Sequence, residues 1–371
     1  MALPLTGIRI LSLAHQYPGP YATMLLSDLG ADVVLVERPD GGDPARAFAG
    51  FHAALARGKR SIAVDLKHPD GLSAFRRLCE GSDVLLEGFR PGVMDRLGLG
   101  PAQLRSDLVY VSISGFGQTG PFRDRPGHDL TYQAEAGMLY EHLPPAPAPP
   151  PPSLALGDLV AALLATQSVL LGLFQRERKG GGSHLDVSMM DGLVSLLAAH
   201  IGPVVNGTGP AGFPYEPGYG VFATSDGQYV ALGVAHEDHF WRSLCDVTDM
   251  AADRDLSSPQ RFRDHRRLTD QLAAALKTRT RRDWVKILTA ADVPFGEVRD
   301  LRDAAASPQV VARRMLTEDG HVRQPLTIDG TGPGPRAGVP RLGEHTAEVL
   351  AEAGFSPASI DAMIACGAVG T

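Results

Sequence analysis

Gly7-Ile8-Arg9-Ile10-Leu11-Ser12-Leu13, then residues 21–29 closed by Gly30, then Asp32-Val33-Val34-Leu35-Val36-Glu37 is the stretch that decides the fold. Two apolar, β-branched runs too short for helices flank a segment of helical length, and Gly30 supplies the stop. Such runs joined through a helix predict neighbouring parallel strands, because parallel pairing needs a long crossover. Outward from there the pattern repeats. Residues 61–65 read as a strand, 70–80 as a helix capped by Asp70, 84–86 as a strand, 93–97 as a short helix and 108–113 as a strand. Strands alternating with helices predict βαβ units in a mostly parallel sheet.

Further along, PPAPAPPPP at 144–152 reads as a stiff polyproline connector. A long apolar helix follows over 158–179 and stops at Gly180-Gly181-Gly182, with a strand at 184–187 and another apolar helix at 190–200. From about residue 205 the texture changes. Runs at 219–224 and 228–232 flank Ser225-Asp226-Gly227, a hairpin signal, and polar helices follow at 240–246, 268–277 and 281–288. The tail is helical again at 344–353 and 357–366. The expected fold is α/β: a Rossmann-like large domain over 1–204, completed by 328–371, with a smaller α+β domain over 205–327.

The chain has 371 residues, 44% of them hydrophobic and 21% charged, which excludes a disordered or fibrous protein. A net charge of -7 argues against nucleic acid as the partner. Cys79, Cys245 and Cys366 are far apart and odd in number, so they give neither a disulfide framework nor a metal-ligand spacing. No signal peptide is visible at the start. The apolar stretch at 159–174 is shorter than the roughly 20 residues a bilayer requires and reads as a buried helix. The expectation is a soluble cytoplasmic protein with no membrane partner and no metal.

In a doubly wound sheet, ligands bind at the carboxyl ends of the strands. Those ends carry Arg38, Lys67, Glu87-Gly88-Phe89-Arg90-Pro91-Gly92 and Ser114-Gly115-Phe116-Gly117-Gln118-Thr119-Gly120, with Arg46 and Arg96 close by. Together they form a candidate phosphate clamp, since guanidinium pairs with phosphate in a bidentate fork. Taken singly, each cation is plain solvated surface. The first βα turn reads Gln16-Tyr17-Pro18-Gly19-Pro20 and lacks G-x-G-x-x-G, so no nicotinamide or flavin is indicated. Two further spots could carry chemistry. In Gly127-His128-Asp129, the histidine is a candidate general base, or Asp129 simply caps the next segment. Asp158 opens the most apolar helix, where it is either an N-cap or a carboxylate free to act as base or nucleophile.

Leu5-Thr6-Gly7-Ile8-Arg9-Ile10-Leu11, Ser27-Asp28-Leu29-Gly30-Ala31-Asp32-Val33, Val36-Glu37-Arg38-Pro39 and Gly41-Gly42-Asp43-Pro44 resemble the opening of the family III CoA-transferases, the CaiB/BaiF type. Asp65-Leu66-Lys67, Gly115-Phe116-Gly117-Gln118-Thr119-Gly120-Pro121, Gly157-Asp158 and Pro340-Arg341-Leu342-Gly343-Glu344-His345 extend the likeness along nearly the whole chain. That superfamily also holds the α-methylacyl-CoA racemases. The resemblance implies a coenzyme A thioester as substrate, held by Arg38, Lys67, Arg90, Arg96 and the Gly117 loop, and an interlocked homodimer.

It also implies two chemistries. In the racemases the residues matching Asp158 and His128 face opposite sides of the acyl α-carbon, and a glutamate matching Glu237 supports the histidine. Without a gap, His236 falls at that position instead. In the transferases the matching aspartate attacks the thioester and an acceptor carboxylic acid finally takes the CoA. The G-H-D-x-x-Y motif here is racemase-like, whereas His15-Gln16 is closer to the transferases. Asp158 is followed by Leu159-Val160, where the racemases usually carry Gly-Gly. The leading expectation is 1,1-proton transfer on a 2-methylacyl-CoA. CoA transfer is the alternative, and a non-catalytic CoA-binding protein is the third reading.

Overall fold

The computed structural model describes residues 3–139, 152–209, 216–330 and 332–371. All of the polyproline segment except Pro152 therefore lies outside the described residues. The chain forms two compact units, Met1–Gly202 with Arg314–Thr371, and Pro203–Arg313.

In the first unit, β1 (Arg9–Leu13), β2 (Asp32–Glu37), β3 (Arg60–Val64), β4 (Val84–Glu87), β5 (Val109–Ser114) and β6 (Ser183–Ser188) form a sheet in the order 3-2-1-4-5-6. All of these pairs are parallel. A two-residue strand, Val369–Gly370, adds antiparallel to the β3 edge with Val369 opposite Val64. Leu11 lies between Val34 and Leu85 in register.

Because side chains alternate across a strand, each run feeds two cores. On one face Leu11, Val34, Ile62 and Leu85 pack with Phe75 and Leu78 of the helix Pro69–Glu80. On the other, Ile10, Val33, Leu86 and Val111 pack with Ala22 and Leu26 of α1 (Pro18–Asp28) and with Ala161, Ala165 and Val169 of the helix Leu156–Lys179. Covering on both faces is why β4 and β5 are buried at every position.

Two local expectations change. The helix over 69–80 is capped by His68 Nδ1, which accepts the Asp70 N–H at 3.2 Å, so Asp70 lies inside the helix. The long apolar helix is only half buried. It spans 24 residues, long and apolar enough for a bilayer, but its small residues pack into the core while Leu163, Leu170, Leu171 and Phe174 stay exposed.

The second unit holds β7 (Tyr219–Ala223), β8 (Tyr229–Gly233) and β9 (Phe295–Glu297) as an antiparallel sheet. Helices Asp238–Val247, His265–Leu276 and Arg281–Ala290 bury Trp241, Leu272 and Trp284 against it.

Candidate active site

Strand order reverses between β1 and β4, and a ligand crevice is expected outside their carboxyl ends. A cavity of about 600 Å³ lies there. It is lined by Leu13 to Gln16 after β1, Gly88 to Pro91 after β4 and Ser114 to Phe116 after β5. The two walls touch at their base, where a Cβ on Gly88 would meet Ala14 at 3.3 Å. Arg123, Arg125, His128, Tyr132 and Asp158 complete the lining.

Asp158 owes its freedom to another carboxylate. It is the third residue of the helix Leu156–Lys179, whose N-cap residue, Ala155, offers no side chain to cap it. Asp129, the first residue of the short helix Asp129–Glu135, reaches across instead. Its Oδ1 accepts the Gly157 N–H at 2.7 Å and lies 3.4 Å from the Asp158 nitrogen, and its Oδ2 accepts Gln133 Nε2 at 2.6 Å. Asp129 therefore caps the long helix and not its own, and Asp158 faces the cavity. Burial first, and then the Asp129 charge, lifts the Asp158 pKa to about 6, while His128 opposes both.

His128 is held by its backbone. Its N–H donates to Thr131 Oγ1 at 3.1 Å, and Thr131 Oγ1 donates back to the His128 carbonyl at 2.7 Å. One turn on, Tyr132 packs where Gly115 and Gly127 leave room, since a Cβ on either would come within 2.5 Å of its ring. Burial and then the Asp158 charge raise the Tyr132 hydroxyl pKa.

The β1 wall carries Gln16 in the left-handed region at φ +64°. Both oxygens of Asp43 accept its N–H at 3.1 Å, while Asp43 donates its own N–H to Glu37 Oε1 at 2.9 Å. Arg46 forks onto Glu37 at 2.7 Å through Nε and Nη2. This removes Arg46 from the cationic rim, because its charge is spent on a buried carboxylate.

The β4 wall carries Glu87, whose Oε2 accepts the Phe89 N–H at 2.8 Å and so shapes the turn that projects Arg90. Burial pushes the Glu87 pKa to about 7 against the pull of Ser112 and the Phe89 N–H, helped by repulsion from Asp186 and Asp95. Ser112 Oγ lies 3.0 Å from His184 Nε2, and a small polar cavity of about 170 Å³ opens beside these groups.

Of the residues singled out from sequence, the cavity thus gathers Asp158, His128 and Arg90. Arg38 is exposed, with Nε on the Gly42 carbonyl at 3.2 Å, and Lys67 is exposed. Both lie at strand ends outside the lining. A Cβ on Gly92 would lie 3.4 Å from Arg96 Nη1 and 3.2 Å from Arg123 Nη2, so those guanidiniums flank one turn. Gly117 is buried at φ +86°, where it makes the turn that lets Gln118 N–H reach Asp186 at 2.8 Å. Glu237 lies in the second unit before the helix Asp238–Val247, with Oε2 buried and unpartnered among the described residues. The sequence reading missed Arg123 and Arg125. Arg125 pairs with Glu135 at 2.6 Å and lies over the Phe122 ring at 5.0 Å. The only signal was two arginines three to five residues ahead of His128.

A doubly wound unit whose switch-point crevice holds a raised-pKa carboxylate, an imidazole and three guanidiniums defines a class. Such proteins take an anionic ligand and bring its reacting end to an acid–base or nucleophilic group. Comparison with known proteins makes the class specific: the chain belongs to CoA-transferase family III, whose model matches residues 5–346. It is 34% identical to the acetyl-CoA:oxalate CoA-transferase of Acetobacter aceti, over 94% of this chain and 95% of that one. It is also 34% identical to the alpha-methylacyl-CoA racemase of Mus musculus, over 96% and 95%. A CAIB/BAIF family protein from Brucella suis superposes with a TM-score of 0.84 at 29% identity, covering 95% of this chain and all of that one. The protein is an acyl-CoA enzyme, and relatives at equal identity run both reactions.

Proposed function

We propose that the protein catalyses 1,1-proton transfer at the α-carbon of an acyl-CoA, with His128 and Asp158 as the acid–base pair. The observation that carries this is that an imidazole and a carboxylate relieved of capping line one cavity. One group removes the α-proton, giving an enolate, and the other returns a proton from the opposite side. A carboxylate with a pKa of about 6 both accepts and releases a proton near neutrality. Arg90, Arg123 and Arg125 would take phosphate charge in the crevice, with Arg38, Lys67 and Arg96 along the rim. A homodimer enters as the working state.

The test is exchange of the α-proton in heavy water without any acceptor acid. Exchange should fall on the order of 10²-fold or more in His128→Ala and in Asp158→Asn. No exchange with a range of 2-methylacyl-CoAs sinks this reading.

Gln16, held in a left-handed conformation on the cavity wall, favours a second reading, CoA transfer. There the Asp158 carboxylate attacks the thioester carbonyl and the C–S bond breaks, giving a mixed anhydride and CoA thiolate. The thiolate then attacks the aspartyl carbonyl, releasing the acyl carboxylate and leaving CoA on Asp158, from which an acceptor acid takes it. Hydroxylamine would trap the Asp158 adduct, and His128→Ala would be only mildly impaired.

A further inference from the structure

Beside the Asp158 cavity lies a second hollow of about 400 Å³ that the acid–base chemistry does not use. It is lined by Gln16, Tyr17, Pro44, Ala45, Phe48 and Phe51. Apart from the Gln16 amide and the Tyr17 hydroxyl, this lining is carbon. Phe48 is 70% exposed and Phe51 39%, an uncommon display for phenylalanines. Tyr17 and Phe51 meet edge to face with ring centroids 4.9 Å apart.

Three observations say what belongs there. Gln16 and Pro44 line both hollows, so the recess adjoins the reacting carboxylate. Burial, Tyr21 and the Asp158 charge raise the Tyr17 hydroxyl pKa, which puts Tyr17 within electrostatic reach of Asp158. The cations that line the cavity are also sorted. The recess stands on the β1 and β2 side of the crevice, whereas Arg90 follows β4, and Arg123 and Arg125 follow β5; Arg38, which follows β2, lies outside the lining of both hollows. The partition is fixed, because Asp43 pins Gln16 and its carboxylate accepts the Ala45 N–H at 2.8 Å.

We propose that this recess is the acyl-chain subsite, and that the natural substrate is a CoA thioester of an apolar acyl group several carbons long. The inference rests on the acyl-CoA reading above. In such a thioester the acyl group is attached at the reacting carbon, whereas adenine lies at the far end of the pantetheine arm. A carbon-lined recess next to the reacting carboxylate therefore suits the acyl chain and leaves the adenine elsewhere. A short dicarboxylic acyl group would bring a charge into this lining without a cation to meet it.

Calorimetry with free CoA and with acetyl-, butyryl-, hexanoyl- and octanoyl-CoA tests this on the full chain. Each added methylene should tighten binding about three- to fourfold until the recess is filled, as burial of a CH₂ dictates. In Phe48→Ser and Phe51→Ser the ratio of octanoyl-CoA to acetyl-CoA affinity should collapse towards one, while free CoA keeps its affinity. A flat chain-length series in the unaltered protein overturns the proposal. So does an equal loss for free CoA in the variants, which would put the nucleotide in the recess. A change of oligomeric mass with an unchanged slope overturns it as well, because a second copy would then cover these phenylalanines. Turnover is scored separately. Chain-length-dependent binding without exchange or transfer breaks the catalytic reading and leaves the recess standing.

Discussion

β2 and β4 each end on a glutamate that anchors a loop behind the crevice, and both side chains are almost wholly buried, Glu37 at 2% exposure and Glu87 at 3%. Their charges are handled in opposite ways. Against the upward push of burial, Glu37 gains the Arg46 fork, the Ser61 hydroxyl at 2.5 Å and the Asp43 N–H, and its pKa ends below the usual carboxylate value. Glu87 makes no ion pair among the described residues, and hydrogen bonds from Ser112 and Phe89 do not offset burial. Equal burial thus gives a fixed charge behind one wall and a titrating group behind the other. Partners decide which. The fixed wall pins the strained Gln16. The titrating wall shapes the turn that carries Arg90.

The largest effect expected from breaking this contrast is at Arg46. Arg46→Met leaves Glu37 as a buried charge without a counter-ion, and removing one member of such a pair costs about 3–5 kcal/mol. Denaturant unfolding should show the full deficit at neutral pH. The sign follows from the two titrations. In the unaltered protein Glu37 contributes stability above its unfolded pKa and loses it in acid. In the variant Glu37 titrates high, as Glu87 does, and contributes only in acid. The deficit must therefore shrink as pH falls. A deficit independent of pH would mean that Arg46 matters through packing alone.

Glu87→Gln should act the other way. The folded pKa of Glu87 is raised from 4.5 to about 7, so its contribution is fully present below 4.5 and is lost as pH rises through 7. Above pH 8 the glutamine variant should be the more stable protein by up to about 3 kcal/mol, since each tenfold gain in proton affinity on folding is worth about 1.36 kcal/mol, with no gain at pH 4. Equal stability at both pH values would show that Glu87 has a counter-charge after all.

These contrasts also mark how far the sequence could be read. The strands β1 to β5 stand out because each centres on a short, mostly apolar run of strand length that includes β-branched residues, and the parallel sheet follows from the helices between them. The switch point follows too, so Arg90, His128 and Asp158 could be singled out before any contact was known. What the sequence hides is pairing between distant residues. Arg46 and Arg90 look equally cationic, yet only Arg46 has a buried carboxylate to meet. Asp129 and Asp158 look like two N-caps, each for its own helix, but the first caps the helix of the second from 28 residues away. Arg123 and Arg125 sit in an irregular loop, where no periodicity marks which side chains face inward.

That exchange of caps supplies the finest test, because it can turn Asp158 from a carboxylate whose pKa burial lifts, as it lifts that of Glu87, towards one amply supplied with donors, as Glu37 is. Asp129→Asn keeps an acceptor for the Gly157 N–H but removes the charge that helps raise Asp158. Asp129→Ala removes both, and leaves N–H groups at the helix start to which the Asp158 carboxylate can turn. Both variants should lower the Asp158 pKa. If ionised Asp158 is the working form, kcat/KM falls in the unaltered protein as pH drops through about 6, and in both variants that acid limb moves to lower pH. Only the alanine variant should lose stability, by about 1 kcal/mol, the usual cost of a lost cap. Alanine should also lose more activity than asparagine at neutral pH, since its Asp158 is drawn into capping and away from the cavity. An acid limb that stays at the same pH in both variants would show that burial alone sets the Asp158 pKa.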